Sequence, residues 1–141
     1  MTVVKIGARQ KLLAAGVLWI GLALTTTASA ERISNPVAEF AGLDKITGRI
    51  ISFDVYMDET VQFGALQVTP RVCYSRTPTE APQTDGFVEV DEITLDRKVR
   101  RIFTGWMFAD SPGLHAVDHA VYDVWLTECK INSPIAPPGS R

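Results

Sequence analysis

The run RIISFDVYM sets Ile51, Phe53 and Val55 against Ile50, Ser52 and Asp54, a period of two that turns one set toward a core and the other toward solvent. The same reading continues through ETVQFGALQVTPRVCYS, where Gly64 predicts a turn or bulge and Pro70 an edge or break point. GFVEVDEITL, VRRIFTGWMFA and AVYDVWLTECK are rich in β-branched and aromatic residues and predict three more strands. RTPTEAPQTDG, between two of these runs, has turn formers and no apolar period, and predicts a surface loop. No stretch beyond residue 30 carries the spacing of an amphipathic helix. Five to seven short strands in roughly 90 ordered residues predict an all-β fold, a small antiparallel β-barrel or sandwich.

The ends read differently. Lys5, Arg9 and Lys11 precede the apolar run Leu12–Leu24, and small residues Ala28 and Ala30 follow. A positive segment, a short apolar core and a small-residue cleavage site are the parts of a secretory signal peptide, so residues 1–30 are expected to be removed after Ala30. The apolar run is shorter than the roughly 20 residues a spanning helix needs, and no second one follows, so no membrane span is expected after cleavage. The protein is therefore expected in the periplasm. Residues 31–42 show no sustained period and predict a loosely ordered leader segment, 43–130 the β domain, and 131–141 a disordered Pro-rich tail.

Beyond residue 30, eleven basic residues face sixteen acidic ones, a net charge of −5 that argues against a general polyanion-binding surface. The one basic run, RKVRR, lies beside EVDEITLD. A two-residue hairpin turn at Asp96 and Arg97 would set Glu92 opposite Arg101 and Val90 opposite Phe103, neutralising the run across its own hairpin. No nucleic-acid partner is expected. The only cysteines, Cys73 and Cys129, both fall in the exported part, where paired thiols oxidise, and a Cys73–Cys129 disulfide is expected.

Candidate chemistry gathers in GWMFADSPGLHAVDH. His115, Asp118 and His119 echo a zinc-peptidase spacing, but that chemistry needs a helix to bring residues four apart onto one face. Pro112 and Gly113 precede the motif and a strand pattern follows it. Two residues before Ser111 stands Ala109 rather than the glycine of a nucleophile elbow, and no helix pattern follows; before Pro112, Ser111 reads with Asp110 as a turn. No Gly-rich phosphate loop is present, and no cofactor or resident metal is expected. Trp106, Phe108, Tyr122 and Trp125 are expected to fill the interior, with one or two partly exposed at a rim. The candidate binding rim is Trp106, Asp110, Ser111, His115, Asp118, His119 and Tyr122.

LDKITGR, FGALQVTPRVCY and above all GWMFADSPGLHAVDHAVYDVWLTEC resemble domain of unknown function 2155, an uncharacterised family of small exported alphaproteobacterial proteins. The resemblance covers roughly Leu43 to Lys130 and implies a periplasmic, paired-cysteine β domain. It brings no established activity and therefore no catalytic residue. Ala120 stands where the family pattern has Pro, and Arg97 where it has Gly in the hairpin turn. The functional expectation is a non-enzymatic binding or envelope-assembly module whose partner is an envelope protein or glycan. The alternative is a small metal-dependent or acid/base enzyme centred on His115 and His119.

Overall fold

The computed structural model describes residues 31–140; the expected signal peptide lies outside them. The strands are β1 (Arg32–Ser34), β2 (Val37–Asp44), β3 (Arg49–Tyr56), β4 (Val61–Phe63), β5 (Leu66–Arg76), β6 (Asp85–Ile93), β7 (Val99–Phe108) and β8 (Tyr122–Lys130). They form two antiparallel sheets, one in the order β1-β5-β6-β7 with β4 also on β5, the other β3-β2-β8. The fold is all-β, and the two sheets do not close into one barrel. Of the two expected architectures, the sandwich is the one formed. No helix among the described residues is long and apolar enough to cross a membrane.

The core lies between the sheets. Ala38, Phe40, Val55, Val124 and Leu126 from the smaller sheet meet Leu66, Val68, Val88, Val90 and Met107 from the larger one. These positions follow the period of two along each strand, which is why the pattern was legible. Cys73 on β5 and Cys129 on β8 are joined across the sheets, with their Cα atoms 5.6 Å apart, and both are buried. The bridge clamps one end of the sandwich. The turns after β2, β4 and β6 and the start of β8 lie at the other, here called the hairpin end.

Residues 31–42, expected as a loose leader, instead supply β1 and most of β2. β2 is the central strand of the smaller sheet, and Val37, Ala38, Phe40, Ala41 and Gly42 are all buried. A strand covered on both faces shows no alternation, and its alanines and glycine give no β signal. Gly42 is small for a reason: the Phe63 ring packs where a Cβ would stand, 2.7 Å away. Residues 131–140 contain no strand, but Ser133 Oγ donates to Asp54 and Tyr56 Oη donates to the Ile135 carbonyl, laying the start of the tail against β3.

The β6–β7 hairpin also differs from expectation. Thr94 N–H donates to the Lys98 carbonyl (2.8 Å) and Arg97 N–H to the Thr94 carbonyl (2.9 Å), so the loop is Leu95–Asp96–Arg97, three residues rather than two. Arg97 has φ +63°, the left-handed position such loops close on. Val90 does face Phe103, but a bulge beyond it puts Asp91 opposite Arg101 and Glu92 opposite Arg100. The run is still paired across its hairpin: Arg100 meets Glu92 at 2.7 Å, Arg101 meets Asp91 at 2.5 Å, and Lys98 meets Asp96 at 3.6 Å.

Candidate functional site

The seven residues of the expected rim separate into two places. Trp106 lies on the outer face of the larger sheet, in a cross-strand pair with Phe87. Its ring stacks on Tyr74 at 6.2 Å and meets Phe87 edge-on at 5.6 Å. The Arg32 guanidinium lies over the Tyr74 ring, 5.5 Å from its centroid. Trp106, Phe108 and Trp125 are therefore outside the core, contrary to the expectation that they fill it; Tyr122 does pack against it. In β7 Ile102, Phe103 and Met107 pack on the core, and a strand with apolar residues on both faces does not announce which face is inner.

His115 belongs to this outer face. Its Nδ1 donates to the Trp106 carbonyl at 2.7 Å, and its ring lies 5.8 Å from Phe108. Asp110 and Ser111 form the turn expected of them: Ser111 N–H donates to the Phe108 carbonyl, and Leu114 N–H to the Ser111 carbonyl. Asp110, Ser111 and Asp118 are exposed along the crossing from β7 to β8, while Val117 of the same segment is buried in the core.

His119 is four residues on but belongs to the hairpin end. Its Nδ1 accepts the N–H groups of Val121 (3.0 Å) and Tyr122 (3.1 Å), which fixes the proton on Nε2, facing the Glu92 carboxylate at 3.2 Å. The carboxylate also takes Arg100, and this guanidinium, with a smaller contribution from His119, holds Glu92 below the usual carboxylate range against the opposing effect of desolvation. Lys45 Nζ donates to the His119 carbonyl at 2.7 Å, tying the β2–β3 turn to the same segment. Both histidines thus spend a ring nitrogen on backbone, at different places, and no group of three or more His, Cys, Asp or Glu side chains able to hold a metal occurs among the described residues. His115 is tied at the Trp106 carbonyl and His119 at the start of β8.

What the hairpin end does have is exposed apolar surface around a cleft. A cleft of about 770 Å³ is lined by Ile46, Ala65, Glu92, Ile93, Thr94, Leu95, Asp96, His119, Val121 and Tyr122. A second, of about 380 Å³, shares Tyr122 and is lined by Asp44, Arg49, Ile51, Gln62, Phe63 and Gly64. Ile46 and Leu95 stand at the tips of the β2–β3 and β6–β7 turns and retain 77% and 107% of full exposure. Ile50, Ile51 and Val99 are exposed just behind them.

The turns force this display. Asp44 Oδ1 accepts the N–H groups of Ile46 and Thr47, and Gly48 at φ +72° closes the turn, which leaves the Ile46 side chain outward. In the other tip the Thr94 hydroxyl donates to the Asp96 carboxylate and accepts Lys98 N–H, so Leu95 sits at the first position of a tightly tied loop. The floor between them is rigid: the Tyr122 ring packs where a Gly64 Cβ would stand, and it meets Phe63 edge-on at 5.5 Å. Sequence reasoning found His119 and Tyr122 but missed Ile46, Leu95 and Glu92. The signal was present as an aliphatic residue inside a charged turn, K-I-T-G-R and T-L-D-R-K.

The chain belongs to the bacterial family described as uncharacterized protein conserved in bacteria, domain of unknown function 2155, whose pattern matches residues 38–129. No curated protein and no solved structure matches it.

Proposed function

We propose that this domain is a non-enzymatic binding module of the bacterial envelope, acting in the periplasm and docking through its hairpin end. The observation that carries the reading is the concentration there of Ile46, Ile50, Ile51, Leu95 and Val99, five of the eight large apolar side chains left exposed among the described residues. Apolar side chains scattered singly need no explanation, but a cluster around a cleft marks a contact surface. A polar tip would fold equally well, since both turns are tied by backbone, Asp44 and Thr94 bonds that do not involve these side chains. The residue pattern of 1–30 supports export, and the inter-sheet disulfide supports an oxidising compartment.

A photocrosslinking amino acid placed at position 95 in intact cells tests this directly, with the exposed loop position 79 as control. Adducts from 95 and none from 79 are expected; adducts from 79 alone, or from neither, would remove the hairpin end as the contact surface. A second reading rests on the outer face, where Tyr74, Phe87 and Trp106 form an aromatic row able to pack against a sugar ring. In that case Trp106→Ala abolishes retention on the envelope glycan while substitutions at Leu95 leave it intact.

A further inference from the structure

The hairpin end differs from the rest of the molecule in charge as well as in polarity. Residues 44–51 and 92–100 hold Lys45, Arg49, Arg97, Lys98 and Arg100 against Asp44, Glu92 and Asp96, a net charge of +2. The rest of the chain from residue 31 carries six basic and thirteen acidic residues, a net charge of −7. The five basic side chains are exposed. Arg49 and Arg97 make no ion pair among the described residues, and the three acids are engaged locally, Asp44 by backbone N–H groups, Glu92 by Arg100 and His119, and Asp96 by Thr94 and Lys98.

We propose that the occupant of this surface is the anionic leaflet of a lipid bilayer, on which the sandwich stands with the tips Ile46 and Leu95 inserted among the acyl chains and the basic side chains at headgroup level. This rests on the hairpin end being the contact surface and names its partner. Aliphatic tips ringed by Lys and Arg are the two attractions peripheral anchoring needs, buried apolar area and charge against acidic lipid. Two tips on separate turns allow shallow insertion without opening the fold, since neither side chain contributes to the core. The acidic remainder of the domain favours this orientation, because the same surface potential that draws the basic tips opposes its net negative charge. A protein groove would also accept an apolar tip, but it does not call for two exposed aliphatic tips beside five basic side chains on a chain that is otherwise acidic.

The test is flotation of the chain from Glu31 onward, which contains both sheets, the core and the disulfide, with phosphatidylcholine vesicles made with and without phosphatidylglycerol. The protein is expected to float with phosphatidylglycerol vesicles, to stay down with phosphatidylcholine alone, and to be released as salt rises. Ile46→Asp with Leu95→Asp is expected to lower binding by about tenfold or more, and Arg49→Glu with Arg97→Glu to do the same at low salt. Because these four side chains are outside the core, unchanged thermal unfolding is expected of every variant. Failure to float with either vesicle, equal flotation with both, or full flotation of the Ile46→Asp, Leu95→Asp protein would overturn the proposal. If flotation fails while position 95 still crosslinks to a protein, the bilayer falls and the hairpin-end contact stands; if both fail, both fall.

Discussion

Removing the bridge between the sheets should cost this domain more stability than any other change that leaves its core intact. Cys73 and Cys129 are 56 residues apart in sequence, and closing a loop of that size lowers the entropy of the unfolded chain by an amount worth about 4 kcal/mol. Both sulfurs are buried, so Cys73→Ala with Cys129→Ala adds of order 1 kcal/mol for the packing lost. Small domains hold roughly 5–15 kcal/mol in all, so the variant should be marginal, with a Tm lower by about 15 °C or more. Urea unfolding followed by tryptophan fluorescence measures both the midpoint and the slope. The slope is the sharper test: if the bridge works by constraining the unfolded chain, the variant exposes more surface on unfolding and its m-value rises. A loss under about 1 kcal/mol would refute the reasoning. So would a large loss with an unchanged slope, which would place the effect in the native state.

Three further outcomes follow from individual contacts. His119→Ala strands the N–H groups of Val121 and Tyr122 and should cost about 2 kcal/mol in urea unfolding, whereas His115→Ala, at an exposed position with one backbone bond, should cost under about 1 kcal/mol; equal costs would contradict the different settings of the two rings. Arg97 sits at φ +63°, so Arg97→Gly should raise stability by up to about 1 kcal/mol, while Arg97→Val should lower it; a loss with glycine would be inconsistent with the three-residue loop. Glu92 is held low chiefly by its bond to Arg100, so the stability it contributes is present above the unfolded carboxylate range and is lost as pH falls through its lowered pKa. Carboxyl carbon shifts recorded against pH should therefore show Glu92 titrating at higher pH in Arg100→Gln than in the native chain, and coincident curves would refute the pairing.

Much of the fold was legible because strands with one buried face must alternate, as β6 and the first half of β8 do; in β3 Val55 is buried as expected, but Ile51 is exposed together with Ile50. β2 was not, because a central strand carrying Ala38, Ala41 and Gly42 is buried on both sides and has nothing to alternate. The hairpin register slipped at its last pairs because the left-handed position at Arg97 is occupied by a residue that gives no turn signal, which hid the third loop residue. The expected rim placed His115 and His119 together because four residues is a short separation. Their ring nitrogens are bound to backbone on two different parts of the sandwich, and only the structure supplies that. Net charge is silent on placement: a net −5 beyond residue 30 includes a +2 end, because a sum has no direction.

The central claim is that the hairpin end is what this domain presents to its partner. Hydrogen exchange of the chain with and without native envelope fraction reads every candidate surface at once. The account predicts slowed exchange in residues 44–51 and 94–100, with the outer-face positions around Phe87 and Trp106 unchanged. Protection centred on Phe87 and Trp106, with the two tips exchanging as in the free protein, would contradict it.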